Sequence, residues 1–325
     1  MPRILPIFAA LLMTTAAGAA FAQSDYPSRP ITIIVPHAAG GPTDTVSRLI
    51  AESMTRSLGE TLVVENAGGA GSTVGAARAS RAEPDGYTLM INHVAQASSG
   101  SLYRKLAFDP DADFDGVGLI TNVPMTVVAR KDFEPTDIAS YIAWVKEHGD
   151  EVLYGHAGVG SASHLCGMLL MDALDVKMTT VPYKGTGPAM TDLLGGQIDT
   201  MCDQTTNTIP QMTSGAIKGY AVTTPERIEV LPDLPTLQEA GLEGFEMTVW
   251  HGMFAPAGTP PEILEKLSGA LQTALQDPKV IERFAQLGTT PVPVEEATPA
   301  ALDAHLAAEI AKWKSVVAKA GEFAD

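Results

Sequence analysis

The sequence predicts an α/β fold built as two lobes that are joined by two crossing strands. Segments typical of buried strands alternate with segments of helical spacing, and glycine-rich turns stand at the junctions between them. A chain of 325 residues is also too long for one small core and suits two lobes of ordinary size. In folds of this class, ligands bind at the carboxyl ends of the strands, where these turns fall.

The first 22 residues have the pattern of a secretory signal peptide. Arg3 is the only charged side chain before Asp25, an apolar run follows it, and Ala20-Phe21-Ala22 has the small residues of a cleavage site. The alternative is a membrane anchor, but the run is short for a span and small residues dilute it. We therefore expect a soluble mature protein that begins near Gln23 and is exported to the periplasm.

Four strand–turn–helix units follow one another along the mature chain. In each unit a strand rich in apolar residues leads into a glycine turn and then into apolar residues at helical spacing. The expected strands are residues 31–35, 61–65, 87–92, 152–155 and 179–183, and the expected helices are residues 46–58, 73–82, 164–174 and 189–194. Gly59 should end the first helix. Alternation of this kind predicts largely parallel sheets.

The C-terminal third is predicted to be helical. Thr259 is expected to cap a helix that has Pro260 at its first position and Glu262 in a capping box. Apolar stripes over residues 263–275 and 302–317 have the spacing of ordinary core faces. No zinc or redox motif, coiled coil or low-complexity linker interrupts the pattern.

The domain boundaries are inferred from two extended segments, residues 127–131 and 219–224. They bracket a compact α/β stretch, and if both cross between lobes they form a hinge that can close on a ligand. The predicted division is a signal peptide at 1–22, lobe one at 26–126 plus 226–325, and lobe two at 127–225.

The charge and the cysteines narrow the range of partners. A net charge of −17 repels nucleic acid and anionic membrane, so we expect neither as a partner. Exposed charges are screened over about 8 Å at physiological salt, so an anionic ligand in a cleft remains compatible with this charge. Cys166 and Cys202 could pair in an oxidising compartment, and the alternative is two buried free thiols.

The glycine junctions are the feature that indicates chemistry. Glycine allows the backbone to approach a ligand, and a helix start presents unpaired N–H groups and the positive end of its dipole. Two such junctions that face each other would bind a carboxylate without arginine. We expect a carboxylate at the start of the helix after Ser161, held by N–H groups and by Ser161 or Ser163. The alternative is that Ser161 only caps the helix.

Enzyme motifs are weak in this chain. Residues 69–75, GAGSTVG, have the spacing GxGxxxG rather than that of a dinucleotide-binding loop. Residues 158–164, GVGSASH, place serines near a histidine but are not a GxSxG elbow. The chain has no HExxH motif, and Asp44 and Asp203 lack a defined catalytic partner. We expect no catalytic residue, no cofactor and no metal.

Longer motifs resemble one family. The segments YPSRPITIIVPHAAGGPTD (26–44), VVENAGGAGSTVGA (63–76), GVGSASHL (158–165), VPYKGTGPAMTDLLGGQID (181–199), AVTTPERIEVLPDLPTLQEAG (221–241) and WHGMFAPAGTP (250–260) are similar to the solute receptors of tripartite tricarboxylate transporters, the Bug receptors. The resemblance covers essentially the whole mature chain. It implies a two-lobed periplasmic-binding-protein fold of the type II kind, without enzymatic activity, that closes on a ligand which is often a carboxylate.

The resemblance also implies the ligand site. Its loops match residues 36–44, 158–164 and the strand end near Asp203, with further approach at residues 92–93 and 183–185. The expected ligand-binding residues are Pro36, His37, Ala38, Ala39, Gly40, Thr43, Asp44, Asn92, His93, Gly160, Ser161, Ser163, His164, Tyr183, Lys184 and Asp203. The position of His37 commonly holds an apolar aromatic residue in this family, so a histidine there could donate a hydrogen bond to the ligand or only stack on it.

The function expected from the sequence is a monomeric periplasmic receptor that passes a small carboxylate to a membrane permease. One alternative is a sensory receptor with the same site that presents its bound state to a membrane sensor. The other is a serine hydrolase that uses Ser161 or Ser163. The sequence does not identify the ligand.

Overall fold

The computed structural model describes residues 26–320, so the expected signal peptide lies outside the described part of the chain. The strands in this part are β1 (Ile31–Val35), β2 (Leu62–Asn66), β3 (Thr88–His93), β4 (Phe114–Arg130), β5 (Leu153–His156), β6 (Thr179–Pro182), β7 (Thr200–Gln204), β8 (Ile217–Val222) and β9 (Thr248–Pro256). The α-helices are α1 (Pro42–Leu58), α2 (Thr73–Ala79), α3 (Val94–Leu102), α4 (Ile138–His148), α5 (Ala162–Leu174), α6 (Thr186–Leu194), α7 (Thr205–Thr213), α8 (Pro261–Leu275), α9 (Pro278–Gln286) and α10 (Pro299–Ala320).

These strands form one mixed sheet in the order β2-β1-β3-β9-β4-β7-β5-β6, with β8 paired to β4. β1 runs parallel to β2 and β3, and β5 runs parallel to β6 and β7. The described pairings of β4 and β9 are all antiparallel. The prediction of largely parallel sheets was therefore wrong at the centre of the sheet. Apolar patterning identifies a strand and leaves its direction open.

The long strand β4 joins the two lobes. Its residues 114–124 pair with β9, and residues 125–130 pair with β7 and β8. We call the part around β1, β2, β3 and β9 lobe one, and the part around β5, β6, β7 and β8 lobe two. On the return path Thr223 N–H donates to the Met125 carbonyl at 3.0 Å, and Met247 N–H donates to the Thr223 carbonyl at 3.1 Å. The chain thus crosses within β4 after residue 124 and again where β9 begins.

The extended segments that suggested the crossings belong mainly to lobe two. Residues 127–130 pair with β7 and β8, and β8 pairs with β4 up to Val222. The following chain still contacts β8, because Leu237 N–H donates to the Val222 carbonyl at 3.0 Å. A strand that pairs first with one lobe and then with the other can have the same apolar pattern as a strand that stays in one lobe. The residue limits predicted for the lobes, 26–126 plus 226–325 and 127–225, stay a prediction.

Helix ends follow the local sequence in one case and depart from it in another. Gly59 ends α1 in the left-handed conformation, with φ of 77°, and its N–H donates to the Thr55 carbonyl. At α8 the N-cap is Pro260, and Thr259 Oγ1 donates to the Pro256 carbonyl at 2.7 Å instead of capping the helix. The prediction of Thr259 as the cap was therefore wrong, because a carbonyl at the end of β9 takes its hydroxyl.

The buried apolar side chains fall into two large clusters. One cluster packs α1 and α8 against lobe one, and includes Ile33, Ile50 and Leu271. The other cluster lies along β4 in both lobes, and its members include Ile34 of β1 and Tyr154 of β5. The sheet ends that face the cleft are therefore anchored on packed cores. In residues 26–320 no helix combines the length and apolar character that a membrane span requires.

Candidate functional site

A small cavity lies between the lobes at the carboxyl ends of β1, β3, β5 and β7. Its volume is about 20 Å³, which is enough for about one water molecule. Its lining is His37, Gly41, Pro42, Thr43 and His93 from lobe one, and Ala157, Ser161, Ala162, Ser163, Thr186, Asp203 and Gln204 from lobe two. The lobes are in close contact here, so a larger ligand requires them to move apart.

Five helix N-termini converge on this cavity. The first residues of α1, α5 and α6 line it, as do the residues that precede α3 and α7. No side chain caps α1, α6 or α7, whereas His93 caps α3 and Ser161 caps α5. A helix start carries a partial positive charge and unpaired N–H groups, so five of them together create a site for an anion.

The two serines of the α5 start share their hydrogen bonds. Ser161 Oγ accepts from His164 N–H at 3.3 Å, and Ser163 Oγ accepts from Ala157 N–H at 2.9 Å. The two hydroxyl oxygens lie 3.2 Å apart, so one hydroxyl can donate to the other. Of the two hydroxyl hydrogens, that bond uses one and leaves one to donate into the cavity. Ser161 is thus a helix cap that also lines the site.

Three histidines are packed together on the lobe-one side. The rings of His37 and His93 are stacked with centroids 4.5 Å apart, and His251 meets His93 edge-on at 5.6 Å. Burial lowers the pKa of His37 to about 4 and that of His251 to about 3, and holds the pKa of His93 well below its ordinary value. The three rings are therefore neutral near pH 7. Within residues 26–320 no group of three His, Cys, Asp or Glu side chains is arranged to hold a metal ion.

Asp203 is the carboxyl group of the cavity wall. It stands at the end of β7 with 1% of its surface exposed. Asn207 Nδ2 donates to its Oδ2 at 2.5 Å. Burial raises the pKa of Asp203 to about 7, against hydrogen bonds from Asn207, the Gln204 backbone and Thr186 that lower it. No lysine or arginine is among the residues that line the cavity, so backbone dipoles and neutral donors must stabilise an anion there.

The family is decided by a sequence match over most of the chain. The sequence pattern of the tripartite tricarboxylate transporter family receptor matches residues 46–321 of this chain. The chain belongs to this receptor family.

Relatives of the receptor support the assignment over most of its length. A protein of Agrobacterium vitis, from the TAR-I ttuE-ttuC' intergenic region, is 55% identical over 97% of this chain and 92% of its own length. The structure of the periplasmic binding protein BugD is 50% identical, with a TM-score of 0.89, and covers 91% of this chain and 99% of its own. MatC of Rhodopseudomonas palustris, solved with bound malate, is 43% identical with a TM-score of 0.87, and covers 90% of this chain and 100% of its own. These similarities identify the receptor as a two-lobed solute-binding protein.

The receptor structure brings six of the sixteen residues expected at the site into the cavity lining, namely His37, Thr43, His93, Ser161, Ser163 and Asp203. Two further expected residues, Asn92 and Asp44, lie close to the lining but are not part of it. Asn92 is buried near the end of β3 and raises the pKa of His37. Asp44 Oδ2 accepts from Gly40 N–H at 3.0 Å, and Asp44 Oδ1 pairs with Arg48 at 3.0 Å.

The remaining expected residues lie outside the cavity lining. Ala38, Tyr183 and Lys184 line a groove at the outer edge of the interface, and Ala39 and Gly40 line a neighbouring one. Tyr183 donates to Asp192 at 2.7 Å. Gly160 contacts lobe one, Pro36 lies against Gly75, and His164 packs beside His156 with ring centroids 4.9 Å apart.

The list of expected ligand-binding residues left out six residues of the lining. Gly41, Pro42 and Ala162 lie within the expected loops 36–44 and 158–164, whereas Ala157, Thr186 and Gln204 lie outside them. A signal for two of them was present. Gln204 directly follows Asp203 at the strand end, and Thr186 stands in the glycine turn of residues 184–188. Ala157 has no polar side-chain group, so no side-chain argument would have selected it.

The two cysteines of the receptor lie in lobe two. Cys166 of α5 and Cys202 of β7 are joined by a disulfide bond, with their Cα atoms 6.1 Å apart. The bond links the helix that begins at the cavity to the strand that carries Asp203. It therefore connects two parts of the cavity wall.

Proposed function

We propose that this protein is a periplasmic receptor that encloses a small carboxylate between its lobes and delivers it to a tripartite tricarboxylate-type permease. The observation that carries the proposal is the convergence of five helix N-termini on a buried cavity whose lining has no lysine or arginine. Such a site compensates a negative charge with fixed dipoles and N–H groups. The function requires no cofactor, and we propose that the receptor acts as a monomer without catalysis.

Binding between the lobes supports a receptor that closes. Ala38 N–H donates to the Lys184 carbonyl at 3.0 Å, and Tyr103 donates to the Val159 carbonyl at 2.9 Å. These bonds join lobe one to lobe two at the groove beside the cavity. A ligand that contacts both lobes favours this closed arrangement by its differential affinity.

The relatives point to the same ligand class. MatC, which shares 43% of its sequence with this chain, was solved with malate. The hydrolase alternative has little geometric support, because Ser161 and Ser163 bond to backbone N–H groups and to each other. A nucleophilic serine would require a hydrogen bond to a general base.

A ligand screen tests the proposal. The mature protein, residues 23–325, is melted with mono-, di- and tricarboxylates of two to six carbons, and hits are titrated by calorimetry. A bound acid should raise the melting temperature by mass action, about 2.7 kcal/mol of stabilisation at 100 times Kd. If no carboxylate shifts the melting temperature while a cation or a sugar does, the proposal is wrong.

A charged variant gives the screen a control. Thr186→Asp places a carboxylate at the first position of α6, in the cavity wall, and should abolish binding of anionic ligands. Thr191→Asp adds the same charge on the exposed face of the same helix and should leave binding unchanged. Equal affinities of the two variants would argue that anions bind elsewhere.

Delivery is tested separately from binding. Uptake of the identified acid is measured in cells that contain the cognate permease, with and without the receptor gene. Loss of uptake in its absence is expected. A sensory receptor would instead leave uptake intact and change ligand-dependent gene expression.

A further inference from the structure

The cavity wall presents hydrogen-bond acceptors that have no donor. His37 Nε2 and Gln204 Oε1 are buried and have no hydrogen-bond partner. Both residues line the cavity, and they are 5% and 3% exposed. They come from opposite lobes, so a ligand between the lobes can reach both. A buried polar atom without a hydrogen-bond partner is costly, and a donor group on a bound ligand would remove that cost.

The state of the His37 ring makes Nε2 an acceptor. The Asn92 side chain lies beside this ring and raises the pKa of His37. Nε2 has no hydrogen-bond partner, and we assign the single ring proton to Nδ1. Burial lowers the pKa of His37 to about 4, so the ring is neutral and Nε2 presents a lone pair.

Asp203 adds a third acceptor to the same wall. Its carboxyl group lines the cavity next to Gln204. Asn207 already donates to Oδ2, and the carboxyl group keeps acceptor lone pairs whether or not it is protonated. An ionised dicarboxylate brings acceptors only, so its carboxylates can pair with the helix starts but not with His37 Nε2 or Gln204 Oε1.

We propose that the cavity selects a hydroxy acid, a carboxylate whose hydroxyl group donates to the acceptor set formed by His37, Asp203 and Gln204. This inference rests on the proposed function and specifies its ligand. The carboxylates bind at the N-termini, where hydroxyls and N–H groups donate, and the hydroxyl occupies the acceptor side. A site built to pair with a hydroxyl rejects an analogue that lacks one, because its own buried groups are then left unpaired.

Four acids of equal chain length test the inference. Calorimetry compares succinate, malate, tartrate and aspartate, which carry no hydroxyl, one hydroxyl, two hydroxyls and an ammonium group. We expect malate or tartrate to bind about 10-fold or more tightly than succinate. Succinate within twofold of the better hydroxy acid contradicts the inference, as does tighter binding of aspartate. If none of the four binds, the inference fails, and the wider screen decides the proposed function independently.

Two variants test whether His37 and Gln204 produce the preference for a hydroxy acid. His37→Phe keeps a ring against His93 and removes the acceptor, and Gln204→Met keeps the length of the side chain and removes its oxygen. Each should lower affinity for the hydroxy acid about 10-fold more than it lowers affinity for succinate. Equal losses for both acids would show a general packing defect and overturn the assignment of these atoms.

Matched controls separate chemistry from folding. His148 stacks on Trp144 in α4, with ring centroids 4.2 Å apart, and lies outside the cavity lining. His148→Phe is therefore the control for His37→Phe. Gln286→Met, on the exposed surface of α9, is the control for Gln204→Met. Both controls should retain the parent ratio of malate to succinate affinity. A changed ratio in either control overturns the assignment.

Discussion

Gly71 of lobe one lies so close to Val159 of lobe two that a Cβ atom at position 71 would stand 1.7 Å from the Val159 carbonyl oxygen. Similar approaches occur nearby, since a Cβ at Gly68 would be 2.5 Å from the Lys184 carbonyl oxygen, and one at Gly185 would be 2.7 Å from Ala38 N. The lobes therefore meet backbone against backbone. Glycine at these positions is required by the close approach, and closure depends on it.

A methyl group at position 71 should prevent full closure. Gly71→Ala is expected to weaken ligand affinity about 10-fold or more, because the closed state can no longer form its contact with Val159. Small-angle scattering should show a smaller radius of gyration on ligand binding for the parent and little change for the variant. An unchanged parent profile at saturation would contradict closure.

Gly196→Ala is the control for this variant, because it introduces the same backbone strain at a position that makes no contact between the lobes. Gly71 has a φ of 59°, so alanine is strained there in any case. Gly196 has a φ of 70° and open space around its Cβ position. Gly196→Ala should lower the melting temperature and leave affinity unchanged. If both variants lose affinity equally, the contact has no special role.

The serines at the α5 start should affect both stability and binding. Ser161→Ala removes a helix cap and should cost about 0.5–2 kcal/mol of unfolding free energy. The double variant Ser161→Ala, Ser163→Ala also removes the hydroxyl hydrogen that remains for the ligand, and should weaken binding by about 1–3 kcal/mol. Thermal melting and calorimetry measure the two effects.

Ser140 is a helix-capping residue that does not line the cavity, so it is the control for the serines of α5. It belongs to the capping box at the start of α4, where its Oγ accepts from the Asp137 N–H at 3.1 Å. Ser140→Ala should melt earlier and bind normally. If the double variant at residues 161 and 163 behaves in the same way, the serines are structural caps and another group holds the carboxylate.

Asp203 should make the stability of the free receptor fall as the pH rises. Its pKa is about 7 in the folded protein and near 3.8 when unfolded. Between these values the folded state binds more protons than the unfolded state, so stability decreases from about pH 4 to pH 7. Asp203→Asn should therefore stabilise the free protein at pH 8, by on the order of 2–4 kcal/mol, and have little effect at pH 4.

The difference between parent and variant melting temperatures isolates this effect. His37, His93 and His251 have lowered pKa values, so they destabilise the fold as the pH falls below about 6.5, in parent and variant alike. Asp172→Asn, at an exposed position of α5, is the control. A melting-temperature difference for Asp203→Asn that is independent of pH would contradict the raised pKa.

Ligand affinity should also depend on the ionisation of Asp203. A bound anion disfavours ionised Asp203, so affinity should fall above pH 7 by up to about tenfold per pH unit. The three histidines are neutral in the free protein across pH 6–9. Calorimetry from pH 6 to pH 9 should show this decrease for the parent and not for Asp203→Asn. A flat profile for the parent would place the ligand away from this carboxyl group.

The bond between Cys166 and Cys202 should hold the cavity wall of lobe two together. The cysteines are 36 residues apart, and chain entropy predicts a stabilisation of about 4 kcal/mol relative to the reduced protein. Intact-mass measurement after alkylation of unfolded, unreduced protein should show no labelled cysteine, and reduction should lower the melting temperature. Two labelled cysteines without reduction would show that the protein lacks the bond.

The local elements were determined by the sequence. The β-branched run at residues 31–35 and the helix that Gly59 ends are both present, because side-chain periodicity and glycine conformations act over a few residues. The family followed from the same motifs. Ser161 was also recognisable as a helix start, since capping depends on neighbours in the chain.

The tertiary structure alone decided which of these elements meet. His251 joins His93 although 158 residues separate them, because β9 runs antiparallel to β3 and pairs these two residues directly. Gln204 enters the cavity because β7 ends opposite His37 across the closed interface. Strand direction and lobe closure are set by packing over the whole chain, and the local sequence pattern is the same whether two distant segments touch or not.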